Sequence, residues 1–235
     1  MRIAVVLAAS ALLAGCANQQ GDQSSPTRLT PITPSRTAET APPGGATGTT
    51  SSTRSSVTST AAPEGSAPVA EAIAWVESAP PVDGADYGVA LRGATTTSLG
   101  GDIAFTTPSG TSCMTDTRHG SADLACLVDL ADPPPPPPDV YGVWKGGWVD
   151  FDGTSVEIGS SHGDPGRFGL GQGPPLPQGG SLSFGDFRCR TDATALVCVN
   201  FARQTGVRYS DDGIDAYGCT KEARPPAGIG VQYLC

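Results

Sequence analysis

Ser161, His162 and Asp164 lie close together in the sequence and supply a hydroxyl, an imidazole and a carboxylate. A hydroxyl becomes a nucleophile when an imidazole within hydrogen-bond reach accepts its proton. These residues are therefore the catalytic candidates of a small hydrolase, with a cleft formed by the Gly- and Pro-rich segment 160–180. The same segment is typical of a plain loop, because it has no G-x-S-x-G elbow and its Asp, Pro and Gly residues set turn geometry. We favour the loop.

Two further patterns are similar to ligand sites but lack essential parts. Residues 169–173 are similar to a dinucleotide-binding glycine loop, but two prolines follow at once and exclude the helix that would hold the phosphates. Asp150, Asp152 and Glu157 are similar to the ligands of a calcium loop, but Gly153 comes two positions too early. The histidines and cysteines also lack zinc-ligand spacing. We therefore predict no metal site and no cofactor.

The cysteines indicate disulfide bonds in an exported protein. The chain has seven cysteines. Assigning Cys16 to a lipid leaves an even set in the C-terminal part, and an even set in an exported chain is typical of a disulfide framework. Six cysteines allow fifteen pairings in principle. The six are Cys113, Cys126, Cys189, Cys198, Cys219 and Cys235.

The N-terminus resembles a bacterial lipoprotein signal. Residues 1–15 contain one arginine and an apolar run too short to span a bilayer permanently, and Leu13-Ala14-Gly15-Cys16 matches the lipobox. We expect Cys16 to carry the lipid, with palmitate or a similar chain, and residues 16–68 to form a tether. This tether has no aromatic residue and is rich in Ser, Thr, Pro and Gly, so it is predicted to be disordered.

The charge of the chain is acidic, with 23 Asp and Glu against 14 Lys and Arg and a formal net charge of −9. Nucleic-acid binding requires a basic footprint over the phosphates, so this balance argues against it. The acidic charge also disfavours electrostatic binding of the chain to anionic lipids. Attachment to the membrane is therefore expected to come from the lipid on Cys16.

Residues 69–235 are predicted to form a single all-β domain of antiparallel hairpins, sandwich or barrel-like, with one short N-terminal helix. Val69, Ile73 and Val76 have helical spacing. The best hairpin turns at Asp152-Gly153, a pair typical of a type I′ turn, with Trp148 facing the core together with Val156 or Ile158. A second hairpin is predicted to turn at residues 211–213.

An imperfect internal repeat predicts the disulfide pairing. Residues 103–128 and 182–200 share the order Phe, Cys, Thr-Asp, Cys, and each copy is expected to be two strands joined by a polar loop. A duplicated hairpin most simply keeps its own bridge, and cysteines facing each other across antiparallel strands meet the required separation. The predicted pairs are Cys113 with Cys126, Cys189 with Cys198, and Cys219 with Cys235.

Six consecutive prolines, 133–138, interrupt the strand pattern. Such a run forms a polyproline II rod with three residues per turn. We interpret it as a rigid connector between the first disulfide-linked hairpin and the strand that begins near Trp144. A ligand for an SH3-like partner is the alternative interpretation.

Three segments of the domain read WKGGWVDFDG at 144–153, SHGDPG at 161–166 and FGDFRCR at 184–190. Together they resemble the uncharacterised cell-envelope lipoproteins of mycobacteria and related actinobacteria, of the LppI type. The resemblance spans about residues 73–219 together with the lipobox, and it implies an exported, lipid-anchored protein. It carries over no catalytic residue.

The expected location is the cell membrane, on its extracytoplasmic face. The expected function is a non-enzymatic binding or structural module whose partner is an envelope glycan, lipid or protein. The alternative is the small hydrolase that would use His162 and Asp164. The anchor, the tether and the disulfides favour the first of these, because all three serve to present a stable surface.

Overall fold

The computed structural model describes residues 61–118, 123–138, 140–162 and 166–235. This part of the chain contains one α-helix, two short 3₁₀ helices at Gly84–Tyr87 and Gly166–Leu170, and fourteen strands. The helix is α1 (Val69–Glu77). The strands are β1 (Val89–Arg92), β2 (Thr95–Ser98), β3 (Ala104–Thr106), β4 (Ser112–Thr115), β5 (Leu124–Leu127), β6 (Val143–Phe151), β7 (Ser155–His162), β8 (Ser181–Phe184), β9 (Phe187–Thr191), β10 (Ala195–Asn200), β11 (Thr205–Ser210), β12 (Gly213–Tyr217), β13 (Lys221–Ala223) and β14 (Ile229–Leu234).

The strands form three antiparallel sheets, which confirms the predicted fold class. The largest has seven strands in the spatial order β13, β14, β7, β6, β5, β4, β3. The second has five strands in the order β12, β11, β10, β9, β8, and β1 and β2 form a separate hairpin. None of these sheets closes on itself among the described residues, so of the two predicted arrangements the sandwich is the one present.

One continuous core joins the two larger sheets. Phe105 and Phe151 from the seven-stranded sheet share a cluster of fully buried side chains with Leu196 and Tyr209 from the five-stranded sheet. Every residue of β10 is buried, which fits a mainly apolar strand at the centre of its sheet. Burying aromatic and branched side chains on both inner faces supplies the main driving force for this packing.

The three disulfides connect the predicted pairs. They are Cys113–Cys126, Cys189–Cys198 and Cys219–Cys235. The first two join residues that lie directly opposite each other on neighbouring strands, and their Cα atoms are 4.1 and 4.0 Å apart. Bonds of this kind persist in oxidising compartments, so the disulfides indicate an extracytoplasmic domain.

Each copy of the internal repeat is a three-stranded unit, which corrects the prediction of two strands. The first copy is β3, β4 and β5 and the second is β8, β9 and β10. The additional strand in each copy is the one that carries the leading Phe of the shared order, at Phe105 or next to the turn at Phe184. The copies lie in different sheets, and their two disulfides meet in the same core.

The β6–β7 hairpin is present, but its turn is not the predicted type I′. That turn requires a positive φ at both central residues. Gly153 has a φ of 94°, whereas Asp152 does not have a positive φ. The Asp152 carboxylate instead accepts hydrogen bonds from the backbone N–H groups of Thr154 and Ser155, at 2.6 and 2.7 Å. A longer turn closed by this side chain replaces the tight two-residue turn.

The hairpin predicted at residues 211–213 is also present, between β11 and β12.

Trp148 is buried, but not in the core where we expected it. Val156 and Ile158 lie in the core between the sheets, as predicted. Trp148 precedes Val149 on β6, and Val149 lies opposite Ile158 in the core. Because neighbouring residues of a strand point to opposite faces, the Trp148 ring lies on the outer face of the seven-stranded sheet. There it makes an edge contact with Phe168, with ring centroids 5.0 Å apart. The prediction that Trp148 faces the core is therefore wrong, because the 3₁₀ helix at Gly166–Leu170 covers its ring on the opposite face.

Helix α1 packs on the outer face of the five-stranded sheet. Its buried residues are Ala72, Trp75 and Val76, and they contact Val197 of β10. The Arg190 guanidinium lies over the Trp75 ring, 4.0 Å from its centroid, and donates to the Trp75 carbonyl. This stacked cation fixes the C-terminal turn of the helix against the sheet.

Residues 61–68 precede the helix and contact the same sheet. The Ala62 backbone N–H donates to the Asp192 carboxylate at 2.6 Å, and the Tyr217 hydroxyl donates to the Pro63 carbonyl at 2.8 Å. No helix in the described part of the chain is both long and apolar enough to cross a membrane. The predicted signal, Cys16 and the segment up to residue 60 lie outside the described residues.

Candidate functional site

A cleft of about 440 Å³ opens where turns from the two repeat copies meet. We call it the repeat cleft. Its volume lies within the range of small-molecule sites. The first copy contributes Thr115 and its following loop, and the second contributes the β8–β9 turn. The lining of the repeat cleft includes Asp123, Phe184, Asp186, Phe187 and Arg203.

Two phenylalanines form the floor of the repeat cleft. The Phe184 and Phe187 rings are stacked, with centroids 5.6 Å apart and planes at 17°. The Phe187 ring also packs edge to face on the Phe151 ring, with centroids 5.4 Å apart. The centroids of the Phe184 and Phe105 rings are 6.5 Å apart. Phe187 is buried while Phe184 is half-buried, so part of one rigidly held ring faces the cleft. Such a ring is a preformed apolar platform.

Hydrogen bonds fix the turns around this floor. The Phe201 backbone N–H donates to the Asp186 carbonyl at 2.9 Å and joins the β10–β11 turn to the β8–β9 turn. The Thr205 hydroxyl donates to the Gly153 carbonyl at 2.7 Å and joins the two sheets. Burial raises the pKa of the nearby Asp152 carboxyl, but the hydrogen bonds that close its turn outweigh burial and lower that pKa below its ordinary value.

Three charged groups of the repeat cleft have no partner among the described residues. The Asp186 carboxylate and the Arg203 guanidinium are exposed and make no hydrogen bond or ion pair with any of them. The Asp123 Oδ1 atom is buried and also has no hydrogen-bond partner in the described part. This Asp123 atom has almost no exposed surface, so the groups that a ligand in the repeat cleft can reach are Asp186 and Arg203.

A second cleft of about 480 Å³ shares Thr115 and lies beside the 3₁₀ helix at Gly166–Leu170. Two of its charged side chains already make hydrogen bonds within the protein. Asp102 accepts from the Thr115 hydroxyl at 3.0 Å, and Arg167 donates to the Met114 and Asp123 carbonyls at 3.1 and 3.2 Å. The repeat cleft differs in that both a carboxylate, Asp186, and a guanidinium, Arg203, make no bond with any described residue.

A buried carboxyl lies on the outer face of the seven-stranded sheet. Burial raises the pKa of Asp150 to about 6, although the hydrogen bond from the Trp148 indole, at 2.8 Å, and the charge of Arg167 lower it. Glu157 lies directly opposite on β7 and raises it further. The Gln232 amide donates to Glu157 at 2.8 Å, so the two carboxyl groups have different partners.

Of the three predicted catalytic candidates, Ser161 is the one whose side chain the structure describes. Ser161 lies on β7 opposite Trp144 and lines neither cleft. His162 is the last residue of the same strand, opposite Val143. Asp164 lies outside the described residues. Segment 160–180 is thus partly strand and partly 3₁₀ helix rather than one continuous loop.

Sequence reasoning did not find the repeat cleft, because its residues come from turns far apart in the chain. The one available signal was the Phe-Gly-Asp-Phe order at 184–187, in which a turn separates two aromatic residues. No cluster of three or more potential metal ligands occurs among the described residues. Comparison with protein-family models, curated proteins and solved structures finds no match for the chain.

Proposed function

We propose that this protein is an exported, membrane-anchored module that binds a saccharide in the repeat cleft without transforming it. The observation that carries the proposal is the half-buried Phe184 ring, which shares the cleft with the exposed charged groups of Asp186 and Arg203. One apolar surface and two charged groups without partners among the described residues thus line the same cleft.

A saccharide ring matches both parts of the cleft. Its C–H face can lie on the Phe184 ring, since aromatic faces favour weakly positive hydrogens. Its hydroxyl groups can donate to the Asp186 carboxylate and accept from the Arg203 guanidinium, whose planar N–H groups can bind two neighbouring oxygens. The cleft is small enough to hold one or two rings. A long acyl chain would leave these charged groups without partners, which argues against a lipid ligand.

The proposed anchor is the lipid on Cys16. The lipobox, the following Ser/Thr/Pro-rich tether and the three disulfides support it, because each is a feature of exported, surface-presented domains. With Cys16 in the membrane, a tether of about 50 residues would hold the domain at a mean distance of roughly 40 Å. That distance suits a ligand carried by the cell envelope.

Ligand-observed NMR with a panel of disaccharides tests the binding proposal. The panel contains neutral, amino-sugar and uronic-acid members. We expect saturation transfer from the protein to neutral or amino sugars, and a loss of binding of tenfold or more in the Arg203→Gln and Asp186→Asn variants. Both side chains are exposed, so these changes should leave the fold intact.

Arg224→Gln is the matched control, because Arg224 is also exposed but lies outside the cleft. Its binding should equal that of the unmodified protein. The proposal fails if no sugar binds at millimolar concentration, or if the control variant loses as much binding as Arg203→Gln.

A further inference from the structure

The proline run is held against the seven-stranded sheet at its N-terminal end. The Trp144 indole N–H donates to the Pro134 carbonyl at 3.0 Å. Glycines on the strands beneath leave room for the prolines. A Cβ atom added to Gly146 would lie 2.7 Å from the Pro133 Cβ, and one added to Gly230 would lie 3.1 Å from the Pro134 Cβ. The sheet surface is therefore shaped to receive the rod.

The exposure of the six prolines repeats every three residues. Pro134 and Pro137 are half-buried, whereas Pro133, Pro135, Pro136 and Pro138 are exposed. Three residues per turn is the period of a polyproline II helix, so residues three apart form one ridge. The ridge of Pro134 and Pro137 thus faces the sheet. The other two ridges face solvent at Pro135, Pro136 and Pro138, and Pro133 also borders the sheet at Gly146.

We propose that the two exposed ridges of residues 133–138 are a docking surface for a partner protein with an aromatic-lined polyproline groove and a basic rim. Domains that recognise proline-rich segments insert proline ridges between aromatic side chains. The Trp144 contact shows that a carbonyl of this rod accepts an indole donor within the protein's own fold. The remaining ridges would offer the same chemistry to a partner.

The surroundings of the rod define the partner's surface. Asp129 and Asp132 precede the rod and are exposed, so a basic rim on the partner is complementary. On its other side, Tyr141 is 96% and Val143 is 59% exposed, which extends the apolar contact beyond the prolines. Because the sheet already fixes the rod, binding loses less conformational entropy than binding of a free peptide would.

The test uses the full chain and two purified polyproline-binding domains as probes, one with a basic rim and one with an acidic rim. Binding is followed by the fluorescence of each probe's groove tryptophan during titration. We expect the basic-rim probe to bind, at least tenfold more tightly than the acidic-rim probe. The triple variant Pro135→Ala/Pro136→Ala/Pro138→Ala should weaken this binding tenfold or more.

Pro108→Ala is the matched control, because Pro108 is exposed and lies in the β3–β4 turn, with β4 and β5 between the edge strand β3 and β6. It should bind the probe as the unmodified chain does. The Trp144→Phe variant removes the indole donor and keeps an aromatic ring, and we expect several-fold weaker binding because the rod is less well fixed. Circular dichroism confirms that each variant is folded.

Three results would overturn the proposal. The first is no binding of the basic-rim probe, and the second is equal binding by the triple variant. The third is dimerisation of the full chain, measured by analytical ultracentrifugation, that disappears in the triple variant. This last result would show that the rod's partner is a second copy of the chain. None of these outcomes depends on saccharide binding in the repeat cleft.

Discussion

Replacing Asp150 with Asn is expected to stabilise the domain at neutral pH and to leave its stability near pH 4 almost unchanged. The oxygen of the introduced amide can still accept the hydrogen bond that Trp148 donates to the Asp150 carboxylate. The substitution therefore removes the buried negative charge while keeping shape and hydrogen bonding. Glu157, directly opposite on β7, would also lose a neighbouring like charge.

The magnitude follows from the pKa of Asp150, which burial raises from the ordinary 3.8 to about 6 in the folded protein. The folded state thus holds the proton more tightly than the unfolded state. This contribution to stability is fully present below about pH 4 and is lost as the pH rises through about 6. A difference of about two pKa units corresponds to roughly 3 kcal/mol. The amide of the variant carries no such dependence.

Urea denaturation at pH 4 and pH 7.5, followed by tryptophan fluorescence with the disulfides intact, measures the effect. At pH 7.5 the Asp150→Asn variant should be more stable than the unmodified protein by up to about 3 kcal/mol. The control is Asp129→Asn, which removes an exposed carboxylate and should change little at either pH. Equal stabilities of the Asp150→Asn variant and the unmodified protein at pH 7.5 would refute a raised pKa.

Three other predictions address the anchor, the disulfides and the sheet surface. A fatty-acid analogue should label the unmodified chain and not Cys16→Ala, and equal labelling of both would disprove the anchor. Replacing Cys189 and Cys198 together with Ala should lower the free energy of unfolding by about 2.5 kcal/mol, measured in urea, through lost restraint on the unfolded chain. Gly159 and Gly93 both have positive φ, at 75° and 59°, but only at Gly159 would a Cβ meet a neighbour, 2.6 Å from the Trp144 ring. Gly159→Ala should therefore cost about 1 to 3 kcal/mol more than Gly93→Ala in thermal unfolding, and equal costs would show that the ring moves aside freely.

The disulfide pairs could be predicted because they are local. Cys113 and Cys126, and likewise Cys189 and Cys198, lie on consecutive strands of one copy, so strand pairing within a short segment places them opposite each other. The hairpin of β6 and β7 could be predicted for the same reason. Alternation along a strand and turn residues between strands are properties of neighbouring residues, and a sequence states them directly.

The assembly of these hairpins was decided by tertiary packing. Nothing in the local pattern assigns the two repeat copies to opposite sheets, or places β14 beside β7, because those pairings join residues far apart in the chain. The face of a strand that becomes covered is equally undetermined. Trp148 is buried by Phe168 on the outer face because a later segment folds back over it. The alternation of apolar and polar residues assigns side chains to two faces of a strand, but it does not determine which segment covers each face.

The sequence by itself determined the β class, the hairpins and the disulfide pairs, and it predicts the export signal and the tether, since each depends on composition or on residues close in the chain. The repeat cleft and the shaped seat of the proline rod exist only in the tertiary structure. Phe184 and Asp123 approach one cleft because two sheets pack face to face around a shared core. That packing is driven by the total apolar surface buried, which no short segment encodes.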